Sequence, residues 1–86
     1  MPRIGEFYGI TIYMYYADHN PPHLHAIYGS HEAEVDLLTG RIRDGHLPDR
    51  AKRMVREWMK AYRAELLDNW NRARQGQALV SLPPIE

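Results

Sequence analysis

The run from His23 to Leu38 leaves its backbone little freedom. Two stretches of β-forming pattern, His23–Tyr28 and His31–Leu38, flank Gly29-Ser30, and glycine at the first central position marks a two-residue type II′ hairpin turn. A turn of that length fixes the register, and slipping it by one residue would turn every side chain to the wrong face. Tyr28 is therefore expected opposite His31, Ile27 opposite Glu32, Ala26 opposite Ala33, His25 opposite Glu34, Leu24 opposite Val35 and His23 opposite Asp36. Leu24, Ala26, Ala33, Val35 and Leu37 share the face that seeks a core. His23, His25, Glu34 and Asp36 share the other.

The flanking chain builds on this hairpin. Ile10, Ile12, Met14 and Tyr16 alternate with Thr11, Tyr13 and Tyr15, a strand pattern in residues that favour strands. Gly5 and Gly9 interrupt the chain before it. Asp18-His19-Asn20-Pro21-Pro22 then makes a stiff connection, because each proline fixes φ and removes a backbone donor. After Thr39-Gly40, Arg41–His46 predicts a short fourth strand or an irregular edge. Pro48 is placed at the first helical position with Asp49 near the positive end of the dipole. Ala51, Met54, Val55, Trp58, Met59 and Tyr62 recur at helical spacing. Leu66, Leu67, Trp70 and Ala73 continue the stripe rotated by roughly 70°, which predicts a bend or a break near Arg63-Ala64. Gly76 fits a helix stop. The expected fold is α+β: a three- or four-stranded antiparallel meander with one long, bent or two-part C-terminal helix on one face. It forms a single domain over 1–86, with the sheet at 4–46, the helical part at 48–75 and an extended tail at 77–86.

Composition excludes several classes of function. The chain has 86 residues and no cysteine, which removes disulfides, thiolate catalysis and cysteine-type zinc sites. No apolar run approaches the length of a membrane span, and Met1-Pro2-Arg3 does not open a signal peptide, so a cytoplasmic protein is expected. Net charge is zero overall, but residues 1–47 carry three Lys/Arg against six Asp/Glu (−3) and residues 48–86 carry eight against five (+3). The chain is a charge dipole.

Three of the five histidines fall between His19 and His25. His23 and His25 are two apart on a strand and point the same way, with carboxylates predicted across from them at cross-strand distance. Three readings follow. Asp18, His19, His23 and His25 suit a divalent transition metal such as zinc, nickel, copper or iron. Alternatively, His19, His23 and His25, oriented by Glu34 and Asp36, suit general acid–base chemistry on a phosphodiester such as RNA, with Tyr13, Tyr15, Tyr28, Arg41 or Arg43 placing the substrate. In the third reading the imidazoles only satisfy carboxylates and carbonyls and close a sheet edge. His31 and His46 stand apart from this group.

On the helix, Arg53, Arg56, Lys60 and Arg63 fall within about a 100° arc beside the apolar stripe. They suit a nucleic-acid or acidic-partner contact, or simply a solvated flank. Trp70, on the rotated part of the stripe, is a candidate interface anchor.

The runs Gly9–Tyr16 and Asp18–Ala26, then Leu47-Pro48, Val55–Trp58, Glu65–Leu67 and Asn69-Trp70, resemble the small prokaryotic "domain of unknown function 4160" family. The Asp-His-Asn-Pro-Pro-His-x-His motif is its distinctive part. The resemblance implies an uncharacterised stand-alone protein of this length, often encoded beside another small protein in a toxin–antitoxin-like arrangement. It would make this chain one component of such a pair, acting through the histidine face, with the basic helix or Trp70 docking the partner. A non-enzymatic module that binds protein or nucleic acid, a metal-binding protein, and self-association are the other expectations.

Overall fold

The computed structural model describes residues 2–85. Five strands form one antiparallel sheet in chain order: β1 (Arg3–Phe7), β2 (Ile10–Tyr13), β3 (His23–Tyr28), β4 (His31–Asp36) and β5 (Ile42–Gly45). Two helices follow, α1 (Asp49–Ala61) and α2 (Arg63–Arg74). The class and the meander are as the sequence predicts, but the sheet has five strands rather than three or four.

The additional strand is β1, paired with β2 through a two-residue loop at Tyr8-Gly9, where φ is +50° and +80°. Two successive positive φ values match the right-handed twist of the flanking strands. Gly5 looks like an interruption in the sequence, but it is where the Trp58 indole lies against the strand. A Cβ at Gly5 would sit 2.6 Å from that ring. The strand is kept open at one point for a helix residue far along the chain.

The β3–β4 hairpin has the predicted register at all six pairs, from Tyr28 opposite His31 to His23 opposite Asp36. Only Gly29 of the turn has a positive φ, +59°, as a type II′ turn requires. Leu24, Ala26, Ala33, Val35 and Leu37 are buried, together with Ile4, Phe7, Ile10, Ile12 and Met14. Tyr16 departs from the expected pattern and is exposed. The strand ends at Tyr13, and the chain turns away at Ala17, where φ is +55°.

Side chains of both helices join this core. Pro48 proves to be the N-cap, and the first helical position, expected at Pro48, falls at Asp49. Ala51, Val55, Trp58 and Met59 of α1 are buried, then Leu66, Asn69, Trp70 and Ala73 of α2. The break falls at Tyr62, whose φ of −115° and ψ of 28° are not helical, so the phase slip in the stripe is a real change of axis. Beyond α2, Gly76 N–H reaches Ala73 O and Gln77 N–H reaches Arg72 O, a Schellman stop. The tail then returns. Fully buried Asn69 pairs with Val80 through both amide atoms at 2.8 Å, Leu82 N–H donates to Ile4 O, and Trp58 Nε1–H donates to Pro83 O.

Candidate metal centre

Strand alternation puts the His23 and His25 side chains on the face opposite the core, at the end where β3 begins. The connection from Met14 to Pro22 brings Asp18 over that end. His23 Nε2 lies 2.9 Å and His25 Nε2 3.2 Å from the same oxygen, Asp18 Oδ2. One candidate ligand atom from each of these residues falls within 4.8 Å of the others. Glu34, across from His25 on β4, brings Oε1 to 3.4 Å of His23 Nε2. Arg43 of β5 contacts the other oxygen of Glu34 at 3.5 Å and donates to Pro21 O at 3.3 Å.

The second nitrogen of His23 is also committed. Nδ1 lies 2.8 Å from Pro21 O and 3.2 Å from Arg43 Nη1; the shorter contact, to a carbonyl, is a hydrogen bond when Nδ1 carries the proton. Nε2 then faces two carboxylates, with either a proton or a cation to balance them. The ring is 2% exposed, held between Trp70 and His25 with ring centroids 5.2 Å from each. His25 in turn packs on Tyr15 at 4.4 Å.

Burial pushes the Asp18 carboxyl upward. The His19 backbone N–H, the His25 hydrogen bond and the His23 charge and hydrogen bond outweigh it and hold the pKa below the usual aspartate value. The Tyr15 phenol is pushed up, first by burial and then by Glu32, Tyr13 and Asp18. A cleft of about 200 Å³ opens beside His25, lined by Glu32, Ala33, Glu34, Asp44 and Gly45.

Not every residue expected here converges. His19 is exposed, and its backbone N–H, donating to Asp18 Oδ1 at 2.9 Å, is its link to the group. Asp36 pairs with His23 in the backbone register, but its Oδ1 accepts Leu38 N–H and Thr39 N–H and so caps the β4–β5 turn. An aspartate followed by a Thr-Gly turn is the sequence signal for that use. Trp70, expected as a surface anchor, is 3% exposed and forms a wall of the cluster. The turn of axis at Tyr62 carries its face inward. His31 and His46, expected to stand alone, have ring centroids 5.5 Å apart. Arg53, Arg56, Lys60 and Arg63 are all exposed.

Residues 9–71 match the family model described as a domain of unknown function (DUF4160). The chain belongs to that family. The matched region of this DUF4160 protein contains Asp18, His23, His25, Glu34 and Arg43, and also Arg53, Arg56, Lys60 and Arg63. No curated protein and no solved structure matches the chain. Among the described residues no helix is long and apolar enough to cross a membrane. Neither the family description nor the fold supports the toxin–antitoxin role implied by the resemblance.

Proposed function

We propose that Asp18, His23 and His25 hold one divalent transition-metal ion, with Glu34 within reach as a fourth protein ligand. The observation that carries this reading is the aim of two Nε2 atoms at one carboxylate oxygen, 2.9 and 3.2 Å away. Around a tetrahedral or octahedral ion with bonds near 2.1 Å, adjacent ligand atoms are about 3.0–3.4 Å apart. The two Nε2–Oδ2 contacts are close to that spacing, the three ligand atoms lie within 4.8 Å of one another, and Glu34 adds a contact of 3.4 Å to His23 Nε2. The Nδ1 hydrogen bond to Pro21 O supports it further, because a carbonyl on one ring nitrogen leaves the other as the ligand and fixes the ring. Arg43 orients Glu34 in the same way.

The surroundings favour a cation over a phosphodiester. The cleft beside His25 carries Glu32, Glu34 and Asp44, and like charges brought together without a counter-ion cost several kcal/mol. A second reading, in which His23 is an imidazolium donating from both nitrogens, is favoured by one fact. No buried side-chain nitrogen or oxygen among the described residues lacks a partner.

Elemental analysis of protein purified without a histidine tag separates the two. The proposal expects near-stoichiometric zinc or iron, lost in the His25→Ala and Asp18→Asn variants, which leave buried His23 in place. Metal-free wild-type protein that also ignores added zinc would establish the imidazolium network instead.

A further inference from the structure

A second charged feature lies away from the histidine cluster, where the β4–β5 turn meets the helices. Arg56, Lys60 and Arg63 face Thr39 and Gly40 across a cleft of about 470 Å³. Arg56 Nε–H donates to Gly40 O at 2.9 Å, which fixes that guanidinium on the cleft wall. A neighbouring cleft of about 460 Å³ shares Arg56 and Lys60 and is lined further by Lys52, Arg53, Asp49 and Glu57. The two adjoin at Arg56 and Lys60 and are taken together as one basic groove. Arg53, Arg56 and Lys60 succeed one another on α1 by three or four residues, about 5 Å of rise at each step, and Arg63 opens α2.

These cations are free to meet a ligand. Lys52 lies 3.8 Å from Asp49, but among the described residues none of Arg53, Arg56, Lys60 and Arg63 has a carboxylate within ion-pair distance. The surface offers a protein partner no protruding apolar side chain: Leu37 and Met59 line the first cleft, but both are buried. Protein interfaces rest on a few buried aromatic or apolar anchors, and the exposed large apolar side chains, Tyr8, Tyr16, Leu38 and Val80, line neither cleft. A row of cations without protruding apolar anchors matches a polymer that presents regularly spaced charge. Three of the four are arginines, whose planar forks suit phosphate oxygens.

We propose that this groove binds the phosphodiester backbone of a nucleic acid, read by charge and not by sequence. Such binding is carried by counter-ion release and weakens steeply with salt. The site is independent of the metal centre and does not need it.

The test is a fluorescence-anisotropy titration of the whole protein against a short single-stranded RNA of mixed sequence, repeated over a range of salt. Single-stranded DNA of the same sequence and polyglutamate serve as the comparison arms. The proposal expects RNA and DNA to bind alike. Four phosphate contacts predict a slope of log K against log salt of about −3. Lys60→Glu/Arg63→Glu should weaken binding at least tenfold, and the milder Lys60→Gln/Arg63→Gln should fall between it and wild type, both with unchanged far-ultraviolet circular dichroism. Absence of binding at low salt, or folded charge variants that bind as wild type does, would overturn it. Polyglutamate binding as tightly as RNA would also overturn it, in favour of an acidic protein.

Discussion

Two pairs of imidazoles lie on this sheet, and they differ in everything except their separation. His23 and His25 have ring centroids 5.2 Å apart, and His31 and His46 5.5 Å. The first pair shares a carboxylate oxygen, has a backbone carbonyl on the far nitrogen of one ring, and is walled by Trp70 and Tyr15. The second pair meets at the hairpin end, with His46 exposed and His31 half-buried, and no metal-ligating group among the described residues includes it. Proximity of imidazoles therefore does not make a site. A cation is favoured where the other nitrogen of a ring is already assigned, as it is for His23, so that a single direction is left to bind.

The largest effect that would break this comparison is on stability. Replacing buried His23 by alanine leaves Asp18 Oδ2 and Pro21 O short of a donor and opens a void beside Trp70. Both mechanisms are expensive, so His23→Ala should lose about 2–4 kcal/mol in urea unfolding. His31→Ala should stay within about 0.5 kcal/mol of wild type. Equal losses would mean that the first pair is not distinguished by its hydrogen bonding.

Next comes the response to metal. A ligand at a hundred times its Kd adds about 2.7 kcal/mol, which is a rise in Tm of roughly 10–20 °C for a domain of this size. Wild type and His31→Ala/His46→Ala should both show it with zinc in a thermal melt, and His25→Ala should show little.

Two smaller effects concern pH and sharpen the picture of the metal-free cluster. Asp18 has a lowered pKa in the folded protein, so its contacts add stability that is complete above the unfolded aspartate value. That stability disappears as pH falls through the lowered value. In melts with chelator, wild type should therefore lose its advantage over Asp18→Asn on acidification. Tyr15 has a raised pKa, and its contribution is complete below the unfolded tyrosine value and lost as pH rises through the raised one. Tyr15→Phe should flatten the alkaline limb slightly.

The parts of this molecule that local rules control were legible in its sequence. Gly29-Ser30 sets a turn, alternation sets the faces, and together they put His23, His25 and Glu34 on one side in the right register. The rotated stripe after Tyr62 likewise announced a second helical axis. What escaped depends on residues distant in the chain. Gly5 reads as an interruption until Trp58 is seen lying on it, so the whole of β1 was hidden. Asp18 was expected among the ligands, but it comes from a loop with no periodicity, and its contact with both Nε2 atoms follows from the path of that loop. Asp36 was placed in the right register, yet its side chain is spent on the turn that follows. Trp70 kept its apolar character but changed destination, because the axis turns before it.

The most direct test of the central claim is a calorimetric zinc titration of tag-free His31→Ala/His46→Ala protein, in which the first imidazole pair remains. The account predicts saturation at one zinc per chain, abolished by adding His25→Ala. No heat of binding, or binding that survives the loss of His25, would contradict it.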